Sequence, residues 1–232
     1  MNNFTLLVTK KVSSSLVLQA GLKGINLLEK EFIRVVPIVN DHLNKKINKL
    51  ISGNNTVVFT SKNAVAAVIA DNRFEDPNCK IYCIEGATKK EVKKYFDETL
   101  VAGAAKNASA LAEVIAEKNN GSKVIFFCGN KRREELPLLL KQRGLEVEEI
   151  IVYNTELVPQ KIVDDYEAVA FFSPSAVESF FTDNTLKKNI ICFSVGRTTT
   201  ETLKKYTRNE VITSDKPSEE SVIELAIRYS KH

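Results

Sequence analysis

The sequence predicts an α/β fold built on parallel sheets and divided into two domains. Short runs of Val, Ile and Phe alternate with amphipathic stretches of helical period along the whole chain, the pattern of repeated strand–helix units. The strand-like runs are apolar at nearly every position, as in strands covered by helices on both faces. The chain also repeats itself. VVFTSKNAVAAVI (57–69) returns as VAFFSPSAVESFF (169–181), and IYCIEGATKKEVKKYF (81–96) returns as ICFSVGRTTTETLKKY (191–206). Two blocks repeated in the same order at nearly the same spacing argue a duplicated pair of strand–turn–helix units.

Taken along the chain, strands are expected at 4–8, 32–36, 57–60, 80–84, 99–101, 123–127, 148–153, 168–172, 190–195 and 210–213, each a short β-branched or aromatic run. Helices are expected at 64–70, 89–96, 108–117, 133–143, 176–182, 199–205 and 218–230, several opening after Ser, Thr or Asn, whose side-chain oxygens cap the first free N–H groups of a helix. In both repeats the turn between strand and helix carries Ser, Thr and Gly. Turns of this kind, at a helix N-terminus, are where α/β folds bind anions.

Composition narrows the function. With 232 residues, 44% of them hydrophobic, the chain can bury a core of one large or two small domains, and two are favoured here. The 33 basic and 29 acidic residues leave a charge of +4, enough to favour an acidic ligand but without the clustering of a nucleic-acid binder. The N-terminal stretch lacks the features of a signal peptide, and no apolar run approaches the roughly 20 residues that span a bilayer. A cytoplasmic protein is expected. Cys79, Cys83, Cys128 and Cys192 lie mostly in apolar runs, the setting of reduced core cysteines, and no second pair completes a zinc site. No metal is expected. There is no G-x-G-x-x-G turn and no P-loop, and His42 and His232 are the only imidazoles, which removes most triad and metal-hydrolase readings.

Proline marks two crossing points, Pro37 after the second expected strand and Pro159 beyond Tyr153; proline ends strand pairing and suits a linker. If the chain passes between domains at both, residues 38–153 are an insertion and 1–37 join 154–232. Two consecutive domains split near 119–122 are the simpler alternative.

Four separated motifs carry a resemblance over nearly the whole chain: FTSKNAV (59–65), FFCGNKRREELPLLLKQRGLEVEEIIVYNT (126–155), FFSPSAV (171–177) and VGRTTTETL (195–203). In this order they resemble the uroporphyrinogen-III synthase family. The resemblance implies two flavodoxin-like α/β domains, one made from both chain ends, joined by a two-stranded connector, and so selects the inserted-domain arrangement. It also implies dehydration and cyclisation of the linear tetrapyrrole hydroxymethylbilane, with inversion of the last pyrrole ring and no cofactor. A monomer is expected. The substrate is a polycarboxylate, which gives the repeated helix N-termini a purpose: each offers unsatisfied N–H groups and about half a unit of positive charge.

The candidate substrate contacts are Ser61, Lys62 and Asn63; Gly86 and Thr88; Ser173, Pro174 and Ser175; and Gly196, Thr198 and Thr199. Capping alone would also explain Ser61 and Ser173, and a tight turn would explain the glycines. Gly129 and Asn130 match the family pattern at the turn before Lys131, Arg132 and Arg133, where the cations read on composition as a solvated loop. Thr9 and Lys10 stand where the family more often shows Thr-Arg, and Lys lacks the planar fork of a guanidinium. Tyr153, matching the family's VYxT, is the candidate catalytic residue: a phenol can donate a hydrogen bond to a departing hydroxyl without ionising. With no imidazole, metal or recognisable acid/base pair to draw on, the expected strategy is to hold a reactive chain in one geometry. A ligand-binding module, or a flavin or nucleotide protein of the same topology, would share the turns; colour separates the flavin protein, and lack of turnover separates the binding module.

Overall fold

A computed structural model describes residues 4–71, 74–119, 121 and 123–231. In chain order the elements are β1 (Phe4–Val8), α1 (Ser14–Leu22), β2 (Ile25–Glu29), β3 (Ile33–Pro37), α2 (Asp41–Ser52), β4 (Thr56–Phe59), α3 (Lys62–Ile69), β5 (Lys80–Ile84), α4 (Ala87–Tyr95), β6 (Val101–Ala105), α5 (Ala108–Lys118), β7 (Val124–Gly129), α6 (Glu135–Gln142), β8 (Val147–Leu157), β9 (Ala168–Phe171), α7 (Pro174–Asp183), β10 (Ile191–Ser194), α8 (Arg197–Tyr206), β11 (Val211–Thr213) and α9 (Glu219–Tyr229). The chain divides into two compact units, one of Met1–Arg34 with Glu156–His232 and one of Val35–Thr155.

The first unit holds a five-stranded parallel sheet in the order β11-β10-β9-β1-β2. Numbered along the unit's own strands this is 2-1-3-4-5, the flavodoxin order. The second holds a sheet in the order β3-β8-β7-β4-β5-β6, parallel from β8 to β6. Place β4, β5, β6, β7 and β8 on β9, β10, β11, β1 and β2, and the two neighbour orders coincide. The units therefore share one layout and differ in where the chain enters it, a circular permutation. The strands in which the chain passes from unit to unit, β3 and β8, are neighbours in the second sheet, a two-stranded connection of the kind expected above.

Both sheets are covered on both faces, and the period of two along each strand sorts the side chains. In the second unit Val57, Phe59, Ile81 and Phe127 pack with Ile51 of α2, Val65 of α3 and Val92 of α4. Val58, Tyr82 and Phe126 point the other way, against Leu111 of α5 and Leu140 of α6. The first unit repeats this with Leu7, Val169 and Phe171 against α7 and α8, and Leu6, Val8 and Phe193 against α1 and α9. The helices thus follow the same permutation as the strands.

Four segments depart from expectation. β2, α1 and α2 were not read from the sequence. β2 is a half-exposed edge strand entered through Gly24 at φ 81°, so it lacks a continuous apolar run. α1 leaves Leu18 and Leu22 exposed, which blurs its amphipathic stripe. The burying positions of α2, Ile47 and Ile51, sit among lysines and asparagines. The strand expected at 99–101 is displaced to β6, because the Asp97 side chain accepts from the Thr99 N–H and hydroxyl and winds Glu98–Leu100 into a 3-10 turn.

Phe180 shows how much one ring can hold. It is fully buried, with Phe32, Phe171 and Phe181 at centroid distances of 5.3, 5.4 and 5.0 Å. Phe180→Ala is expected to destabilise the protein by about 3–5 kcal/mol, read from urea unfolding.

Candidate functional site

Each unit gathers its candidate residues at the carboxyl edge of its own sheet. In the second unit Ser61 follows β4, Gly86 and Thr88 follow β5, Gly129 and Asn130 end β7 and Tyr153 lies on β8; in the first, Thr9 and Lys10 follow β1, Ser173, Pro174 and Ser175 follow β9, and Gly196, Thr198 and Thr199 follow β10. The strand pairs β4/β7 and β9/β1, where chain order reverses, are the switch points at which open α/β sheets take their ligands.

The helix starts at these edges are of two kinds. Ser61 accepts from the Asn63 N–H at 3.1 Å and Ser173 from the Ala176 N–H at 3.1 Å, with Pro174 opening α7. Their hydroxyl oxygens thus serve the helix itself. Gly86 and Gly196, before α4 and α8, provide no side-chain cap. These two glycines are equivalent under the permutation. Gly86 has φ 79°, a left-handed conformation that favours glycine, and a Cβ at either position would meet open space. The first turns of α4 and α8 are therefore uncapped and uncovered, with Thr88 and Thr199 buried beneath them.

Other candidates are engaged within the fold. Thr9 is buried and donates its hydroxyl to the Ala170 carbonyl at 2.9 Å, tying β1 to β9. Lys10 forms an ion pair with Glu219 and stands 5.9 Å from the centroid of the Phe172 ring. Arg132 pairs with Glu149 and Glu134, and the Glu149 carboxylate holds its guanidinium charged above the ordinary arginine range. Lys62 lies exposed at the start of α3, with Asn63 half-buried beside it.

Tyr153 is half-buried against the β4 side of the core. Its hydroxyl donates to Ser61 Oγ at 3.4 Å. Asn130 holds the strand just after it: the Asn130 N–H donates to the Tyr153 carbonyl at 3.2 Å, and Asn130 Oδ1 accepts from the Thr155 N–H at 2.8 Å. Gly129 pairs with Tyr153 across the strands, after a register shift at Cys128/Gly129.

Sequence reading missed two participants. Glu219, in the first turn of α9, becomes the partner of Lys10 only when β1 and α9 meet. Thr200 links its hydroxyl to Ser194 at 2.5 Å and Thr213 at 2.7 Å, fastening the ends of β10 and β11 to α8; the run of threonines at 198–200 was its only signal. The four cysteines are all buried. Burial pushes the thiols of Cys79, Cys83 and Cys128 up to about 11 and that of Cys192 to about 12, so they pack as neutral side chains. Among the described residues no group of His, Cys, Asp and Glu is placed to hold a metal ion, and no helix is long and apolar enough to cross a membrane.

Fold and turns together define a two-unit α/β protein whose candidate residues gather at the carboxyl ends of its parallel strands. The family model for uroporphyrinogen-III synthase HemD matches residues 15–224, and the chain belongs to the uroporphyrinogen-III synthase family. Its function is that of the family, a cyclising lyase of tetrapyrrole biosynthesis. It is 24% identical to the uroporphyrinogen-III synthase of Saccharomyces cerevisiae over 87% of this chain and 83% of that one. Among solved structures, the uroporphyrinogen-III synthetase of Helicobacter pylori superposes with a TM-score of 0.69 at 18% identity, covering 97% of this chain and 99% of that one. A selenomethionine-labelled mutant uroporphyrinogen III synthase of Thermus thermophilus gives 0.68 at 13% identity, covering 98% of each chain. These two likenesses establish the shared fold.

If the serine caps act mainly on their helices, Ser173→Ala is expected to lower stability by about 1 kcal/mol, seen as a reduced urea midpoint with an unchanged slope.

Proposed function

We propose that this chain closes hydroxymethylbilane into uroporphyrinogen III, with Tyr153 aiding loss of the hydroxyl and the uncapped turns at Gly86 and Gly196 receiving substrate carboxylates. The observation that carries the reading is the recurrence, at equivalent edges of two permuted units, of helix starts with no side-chain cap. Such a start has N–H groups and a dipole to offer an anion, each worth about 0.3–1 kcal/mol when exposed. Thr88, Thr198 and Thr199 line the same turns, and Ser61, Lys62, Asn63, Ser173, Pro174 and Ser175 contribute the neighbouring helix starts.

The chemistry asks little of strong acids. The hydroxymethyl carbon loses its oxygen as water, the phenol of Tyr153 donating a hydrogen bond to the departing oxygen; the terminal pyrrole then attacks through its substituted carbon and inverts. Rearrangement returns the proton consumed. An unassisted chain closes head to tail into the symmetric isomer, so the protein's contribution is the folded geometry of the substrate. We take the enzyme as a cytoplasmic monomer that needs no cofactor and binds no nucleic acid; the near balance of 33 basic and 29 acidic residues supports the last point.

Incubated with hydroxymethylbilane alone, the purified protein is expected to yield mainly the type III isomer by chromatography, with binding weakened at high salt. Type I alone, at the uncatalysed rate, would overturn the reading. Tyr153→Phe is expected to lower turnover about ten- to a hundredfold with the thermal transition retained; unchanged kinetics would return Tyr153 to a packing role. We also propose that the inserted unit is an independent domain: residues 35–155 expressed alone should unfold cooperatively in urea, and a non-cooperative transition would refute this.

A further inference from the structure

We propose that Gly129 and Asn130 are positioning residues for Tyr153 and not substrate contacts. The inference rests on the reading of Tyr153 as the hydrogen-bond donor to the departing hydroxyl. Gly129 is buried at the end of β7 and is not among the glycines with positive φ, so its backbone does not require glycine. The space does. A Cβ there would collide with Tyr153 Cζ and lie 2.5 Å from Cε2 and 2.8 Å from the phenol oxygen. The ring therefore rests on the bare Cα of Gly129. Any larger residue must displace the ring, and with it the hydroxyl that reaches Ser61 at 3.4 Å.

Asn130 fixes the backbone of the same tyrosine. Its N–H holds the Tyr153 carbonyl and its side-chain oxygen holds the Thr155 N–H, two bonds on either side of Asn154 that pin the strand directly after the residue carrying the ring. The side chain acts there as an acceptor. An asparagine gripping a substrate carboxylate would have to act through its amide N–H groups, and this difference makes the two roles separable.

Full-length variants are compared in hydroxymethylbilane turnover and thermal unfolding. Gly129→Ala is expected to lower kcat about ten- to a hundredfold, as Tyr153→Phe does, with KM nearly unchanged. In a Tyr153→Ala background, where the space is free, adding Gly129→Ala should change neither kcat nor Tm. If Gly129→Ala alone does not fold, the double variant should fold, and its failure to do so would refute the proposal. Asn130→Asp keeps the acceptor and is expected to recover most of the kcat lost in Asn130→Ala. Equal losses from Gly129→Ala in both backgrounds, or a lower kcat for Asn130→Asp than for Asn130→Ala, would overturn the assignment. Should wild type fail to turn over hydroxymethylbilane, the functional reading falls, and the Tm comparison still decides whether residue 129 acts through the ring.

Discussion

Each unit depends on a central strand that has no exposed face. All four residues of β4 are buried, and so are all four of β9. A parallel strand in this position must be covered by helices above and below, or its apolar side chains would meet water on one side. The covering helices return the chain over the sheet in the same sense each time, so helix N-termini collect at the carboxyl edge. The site is a by-product of this requirement. Burial gives each unit four corresponding helix starts, those of α3 to α6 in one and of α7, α8, α9 and α1 in the other.

The variation is small and orderly. Where a serine or asparagine stands before the helix, as at Ser13, Ser61, Asn107, Ser173 and Ser218, its side-chain oxygen satisfies one of the helix's own N–H groups. Where glycine stands, at positions 86 and 196, that acceptor is missing. Glycine at a helix start costs only a few tenths of a kcal/mol relative to a good cap. The two glycine starts thus leave their first N–H groups without a side-chain acceptor at little cost in stability.

The permutation explains why only part of the duplication is visible as sequence similarity. The repeated blocks cover β4-α3-β5-α4 and β9-α7-β10-α8, which keep their order in both units. Of the remaining elements, β6-α5 and β11-α9 also keep their order, whereas β7-α6-β8 and β1-α1-β2 stand after this block in one unit and before it in the other. A linear comparison cannot align them. By the same correspondence the turn of Thr9 and Lys10 is the counterpart, in its own unit, of the turn of Gly129 and Asn130, and the two differ in nearly every side-chain contact.

Composition and periodicity alone determined the α/β class, the parallel sheets, most strand and helix positions and the capping serines, because these follow from local pattern: uninterrupted apolar runs, helical spacing and Ser before a helix. Likewise legible were the turns where candidate residues cluster, since strand end and helix start are sequence neighbours. Tertiary structure alone decided which partner each candidate meets. Thr9 faces Ala170, Lys10 meets Glu219, and Gly129 lies under Tyr153, contacts between residues far apart in the chain that no local pattern encodes. Edge elements such as β2 and α1 were hidden for the same reason: their stability comes from the neighbours they cover more than from their own apolar pattern.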